Sequence, residues 1–100
     1  MQVVISGKHF DLSDRLRSHI EARADKLQRF YDPIIDCQVK VTEEKAKRAD
    51  LIVNVQKHLL KATGEAGSIY LAVDQAMEKM ERQLKKLNTK QRSKRPGTPA

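Results

Sequence analysis

The stretch IIDCQVKVTEEKAKRADLIVNVQKHLLKATGEA, residues 34–66, decides the fold. In its first part Ile35, Cys37, Val39 and Val41 alternate with Asp36, Gln38, Lys40 and Thr42. A period of two puts each set on one face of a strand, apolar side inward. EKAKR is a polar turn, after which ADLIVNVQKH resumes the pattern with Leu51, Val53 and Val55 on one side. A tight connection near Lys57 and His58 returns the chain as LLKATGEA, where Leu60, Ala62 and Gly64 share a face. Small residues there leave room for a helix close above. Three strands joined by short turns predict an antiparallel meander.

Upstream, QVVISG at residues 2–7 places Val3 and Ile5 opposite Gln2, Val4 and Ser6, a further short strand. Asp11 or Ser13 then caps a helix over about 13 to 30, with Asp14 in its first turn. Leu16, Ile20, Ala24, Leu27 and Tyr31 recur every three or four residues on its buried face, and Asp32-Pro33 ends it. Downstream, Ser68 caps a second helix from about Ile69 to Leu87, with Tyr70, Val73, Met77, Met80, Leu84 and Leu87 on its apolar stripe. The order β-α-β-β-β-α predicts an α+β fold in which two helices cover one face of a four-stranded sheet.

One hundred residues allow one domain, assigned to 1–88. Residues 89–100 have no apolar period and contain Pro96, Gly97 and Pro99, so they are expected to be a disordered basic tail. The formal charge is +7, and Lys90, Arg92, Lys94 and Arg95 supply four of those charges in a segment free of acids, leaving +3 on the domain. That balance points to a polyanion as partner. Cys37 is the single cysteine, so no intramolecular disulfide forms. The N-terminus lacks the pattern of a leader, and no run reaches the length of a membrane span, which leads us to expect a cytoplasmic protein without membrane contact.

Charge is segregated around both predicted helices. With ~100° per residue, Arg15, His19, Lys26 and Arg29 form a stripe beside the buried face of the first helix, and Arg23 lies between that stripe and the core. Asp14, Glu21 and Asp25 fall on the opposite flank, with Arg17 nearer to them. On the second helix Lys79, Arg82, Lys86 and Lys90 share about a third of the circumference, while Asp74, Glu78, Glu81 and Lys85 group elsewhere. Two such helices side by side are expected to make one positive groove with the acids turned outward. Long basic side chains a helical turn apart suit a phosphate backbone.

MQVVISGKHFDLSD (1–14), LRSHIEARADKLQRFYDPI (16–34) and above all SIYLAVDQAMEKMERQLKK (68–86) resemble the ribosome hibernation promoting factor and ribosome-associated inhibitor family, also called the sigma-54 modulation protein family. The resemblance spans roughly residues 1 to 88. It implies a fold similar in shape to double-stranded RNA-binding domains. It also implies binding to the small (30S) ribosomal subunit in the channel for messenger RNA and transfer RNA, which inhibits translation in stress or stationary phase. The partners implied are 16S rRNA and the 30S or 70S ribosome, with a ribosome modulation factor as a further partner in ribosome dimers. Lys79, Arg82 and Lys86 match the family's basic second-helix motif, and Arg17 and Lys26 match basic positions of its first. Arg15, Arg23 and Arg29 are added from the helical wheel, and Lys90 and Arg92 from the tail. Long members carry a further C-terminal domain that pairs ribosomes; this chain resembles a short form.

No catalytic constellation is visible, so the protein is expected not to be an enzyme and to need no cofactor, metal or small-molecule substrate. His9, His19 and His58 are isolated, Cys37 has no partner at ligand spacing, and Glu43 with Glu44 reads as a solvated hairpin end. Tyr70 and Phe30 are expected to pack in the core rather than stack on bases. Two rival functions are a general double-stranded RNA-binding module and a protein-binding regulator of a sigma factor. The second needs an exposed apolar patch, to which only Val4, Ile52 and Leu59 would contribute.

Overall fold

The computed structural model describes residues 1–8 and 10–93, with side chains through Asn88 apart from His9. His9 and the tail positions Lys94 and Arg95 lie outside the described residues. The elements are β1 (Gln2–Lys8), α1 (Asp14–Lys26) continued by a 3-10 turn (Leu27–Arg29), β2 (Ile34–Glu43), β3 (Lys47–Val55), β4 (His58–Ala66) and α2 (Ile69–Ser93). The strands lie in the order β1-β2-β3-β4. β2, β3 and β4 form the expected antiparallel meander, and β1 pairs in parallel with β2. A parallel pair needs a crossover, and α1 is that crossover.

Local chemistry sets the helix starts. Ser13 Oγ accepts a hydrogen bond from the Leu16 N–H at 3.1 Å, and the Ser13 carbonyl accepts from Arg17 N–H at 3.0 Å. At the second helix the Ser68 carbonyl accepts from Ala72 N–H at 3.0 Å. Leu16, Ile20, Ala24, Leu27 and Tyr31 are all buried, as their spacing requires. They meet Cys37, Val39, Val41, Leu51, Val53 and Val55 from the sheet in a single apolar core.

Three details differ from expectation. A bulge between Ile34 and Asp36 turns Ile34 into the core and leaves Ile35 52% exposed, so alternation breaks at that residue. On α2 the buried set is Ile69, Ala72, Val73, Ala76, Met77, Met80 and Leu84, while Tyr70 and Leu87 sit at its margins. The alanines explain the rotation: a Cβ built on Gly64 would stand 2.0 Å from the Ala72 carbonyl oxygen and 2.9 Å from Ala76 N, so α2 lies directly on the β4 backbone. Finally, α2 runs to Ser93, past the Leu87 boundary expected from the loss of apolar period. Residues 88–93 contain neither Gly nor Pro, and Lys and Arg near a helix C-terminus favour its continuation.

Candidate nucleic-acid interface

The two flanks of α2 carry opposite charge and face different neighbours. Toward β4, the edge strand, α2 presents Gln75, Lys79 and Gln83 at steps of four residues. The Lys79 ammonium donates to the Thr63 carbonyl at 2.7 Å, and Gln83 Nε2 donates to the Lys61 carbonyl at 2.7 Å. Gln75 Oε1 accepts from the Glu65 N–H at 3.2 Å. This ladder occupies backbone groups that an edge strand would otherwise offer to another chain. Lys86 is exposed and lies beside Gln83, Leu87 and Leu60 on the same side. Arg82 is exposed between that row and the crest of the helix, near Glu78, Lys85 and Phe30.

Toward α1, α2 presents acids. Asp74 Oδ1 lies 2.8 Å from His19 Nε2, which donates to it, and 3.5 Å from Arg23 Nε. Arg23 Nη2 reaches the Asp74 carbonyl at 3.5 Å and Glu81 Oε2 at 3.7 Å. The His19 ring stands edge-on to Tyr70, with centroids 5.1 Å apart. The expectation of one positive groove with outward acids is therefore corrected: Asp74 and Glu81 are at the helix–helix seam, and Lys79 and Lys86 are on the far side of α2. A helical wheel gives angles about one axis but not the direction in which the neighbouring helix stands.

The remaining predicted residues fall around these two features. Arg15, Arg17 and Lys26 are exposed on α1, and Arg29 is exposed in the 3-10 turn after it. Arg23 is half-buried in the seam. Lys90 and Arg92 belong to the last turns of α2. Sequence reasoning missed the roles of His19, Asp74, Glu81, Gln75 and Gln83. The ladder had a usable signal, three long polar side chains at i, i+4 and i+8 bordering an apolar stripe.

Other chemistry is sparse. Among the described residues no group of His, Cys, Asp and Glu could hold a metal ion. No helix among them is long and apolar enough to cross a membrane. Cys37 is buried on β2, and burial, aided by the Asp36 charge, pushes its thiol up to about 12. It stays protonated, a packing thiol rather than a nucleophile. On the open face of the sheet, Val4 and Ile52 stand in one cross-strand row but are separated by Gln38 and followed by Lys61, so they do not merge with Leu59 into a continuous apolar strip.

The model of the family described as sigma 54 modulation protein / S30EA ribosomal protein matches residues 3–92. The chain belongs to this family. It is 36% identical over 98 residues to the ribosome hibernation promoting factor of Azotobacter vinelandii, covering 97% of this chain and 92% of that protein. A solved ribosomal subunit interface protein from Coxiella burnetii superposes with a TM-score of 0.80 at 28% identity, over 89% of this chain and 99% of that one. The N-terminal domain of Thermus thermophilus Protein Y has the same fold, with a TM-score of 0.82 at 24% identity over 87% of this chain and 99% of that one. The family match extends along α2 beyond Leu87, into the turns that carry Lys90 and Arg92.

Proposed function

We propose that the protein is a ribosome hibernation factor that binds the small ribosomal subunit at the messenger RNA and transfer RNA decoding channel and inhibits translation in stress or stationary phase. Occupancy is the mechanism, and no bond is made or broken. The observation that carries this reading is the cationic row on α2. Lys79, Arg82 and Lys86, followed at the same helical phase by Lys90, span roughly 16 Å of the axis, with Arg92 two residues further on. Long cationic side chains on a rigid axis neutralise phosphates of 16S rRNA at fixed spacing. Arg15, Lys26 and Arg29 add charge from α1, and Arg17 lies at the periphery. A ribosome modulation factor is the further partner where ribosomes pair.

The test is sedimentation with 70S ribosomes at physiological salt, with the channel empty or already filled by messenger and transfer RNA. Saturable binding that filling abolishes is the expected result. Binding that ignores occupancy, or that free duplex RNA matches, would mean a general RNA-binding module instead. Lys79→Glu, Arg82→Glu and Lys86→Glu together should weaken binding by at least about tenfold. Because Lys79 also holds the Thr63 carbonyl, the Arg82→Glu, Lys86→Glu double variant separates charge from edge packing. Wild-type affinity in that folded variant would remove α2 from the interface.

A further inference from the structure

Asp74 and Glu81 place negative charge beside the surface that the reading above gives to RNA. A carboxylate there opposes phosphate binding unless it is already engaged, and Arg23 engages both. Its side chain is 20% exposed, and its Nε is buried without a hydrogen-bond partner although Asp74 Oδ1 is within ion-pair distance. Turning Arg23 toward a phosphate would take from two carboxylates, two turns apart on one helix, the cation that bridges them. His19 holds the same Asp74 oxygen from one turn earlier on α1, and Tyr70 fixes the plane of its ring. Both helices send their apolar stripes down onto the sheet, so this polar cluster ties them to each other near the solvent surface.

We infer that Asp74, with Arg23 and His19, sets the spacing between α1 and α2 and so positions their cationic flanks for RNA. Arg23 is a positioning residue rather than a phosphate contact. The inference rests on the proposed ribosome binding, and it makes a prediction that bulk charge does not. Asp74→Asn raises the net charge, which on charge alone should tighten binding to a polyanion. The positioning role predicts the opposite, an affinity for 70S ribosomes about tenfold weaker.

Three measurements decide it. The first is the ribosome affinity of Asp74→Asn against wild type: weaker binding supports the role, and equal or tighter binding overturns it. The second is the slope of log affinity against log salt. Arg82→Gln should lower it by about 0.7 to 0.9, the signature of one lost phosphate contact, and Arg23→Gln by clearly less. An equal drop for Arg23→Gln would make Arg23 a direct contact and overturn the assignment. The third needs no ribosome. Spin labels on Ala22→Cys and Glu78→Cys, with the buried Cys37 thiol unreactive, report the interhelical distance by electron–electron resonance. A narrow distribution that broadens in Asp74→Asn supports the spacing role; an unchanged one overturns it. If wild type itself failed to bind ribosomes, the proposed function would fall, and this distance would still decide what Asp74 does.

Discussion

On its β4 side α2 descends to the backbone of Gly64, whereas on its α1 side it meets its neighbour across the ends of long charged side chains. The first contact is made of Ala72, Ala76 and a glycine without a Cβ, flanked by hydrogen bonds of 2.7 Å from Lys79 and Gln83. The second is made of Arg23, His19, Asp74 and Glu81, with a His19–Asp74 hydrogen bond of 2.8 Å and Arg23 ion-pair distances of 3.5 and 3.7 Å. One is fixed by steric fit and does not respond to salt. The other is electrostatic at the surface, above an apolar core that both helices share. α2 is thus held to its sheet by close fit, and α1 is tied to α2 near the surface by charge.

The largest expected effect breaks the rigid side. Gly64→Val puts a branched side chain where an ideal Cβ stands 2.0 Å from Ala72 O and 2.9 Å from Ala76 N, both backbone atoms, and 2.9 Å from Gln75 Cβ. α2 must lift from β4, at a cost of about 3 kcal/mol or more. Urea denaturation measures it, with Gly67→Ala as the control, because a Cβ at Gly67 meets nothing within 4 Å. If Gly64→Val were as mild as Gly67→Ala, the close helix–strand contact would not be what fixes α2.

The next effect calibrates the sheet beneath both flanks. The Cys37 thiol is pushed from its ordinary value of 9.0 up to about 12, first by burial and then by the Asp36 charge. Above pH 9 the unfolded chain releases this proton while the folded chain keeps it, so the unfolded state gains and stability falls as pH rises toward 12. The slope is about 1.4 kcal/mol per pH unit within that window. Cys37→Ala lacks this loss, and comparing the two proteins cancels every other group that titrates there. The wild-type advantage over Cys37→Ala should therefore shrink between pH 9 and 11. A constant difference would show that the thiol is not sealed in the core.

What the sequence made legible follows from which questions one strand or helix can answer alone. The period-two runs located β2, β3 and β4, and the small face of Leu60, Ala62 and Gly64 anticipated a close helix, which is where α2 lies. The break at Ile35 was not legible, because a bulge depends on how β2 meets β3. The end of α2 was misplaced because loss of apolar period marks the end of packing, not the end of helical hydrogen bonding. The cationic row Lys79, Arg82 and Lys86 was visible as a stripe on one axis. That the opposite acids face α1 was not, since that depends on the relative placement of two helices separated in the chain by the whole meander.

The smallest expected effects compare the two flanks directly. Gln83→Ala removes a neutral hydrogen bond to the Lys61 carbonyl, and Arg23→Ala removes a cation from between two carboxylates. At low salt each should cost about 1 kcal/mol, because both are partly exposed to water. Raising the salt from about 0.05 M to about 1 M shortens the screening length to roughly 3 Å. The ion pairs around Arg23 then weaken in the wild type, so Arg23→Ala should cost less at high salt, while the cost of Gln83→Ala stays the same. Urea midpoints of the three proteins at both salts measure this. If the Arg23→Ala cost did not move with salt, the packing of its aliphatic stem would be what holds the seam, and α1 would be as rigidly placed as α2. If it falls as expected, the two flanks of α2 differ in kind: the β4 side is closed by fit, and the seam to α1, above the shared core, is closed by charges that surrounding ions can loosen.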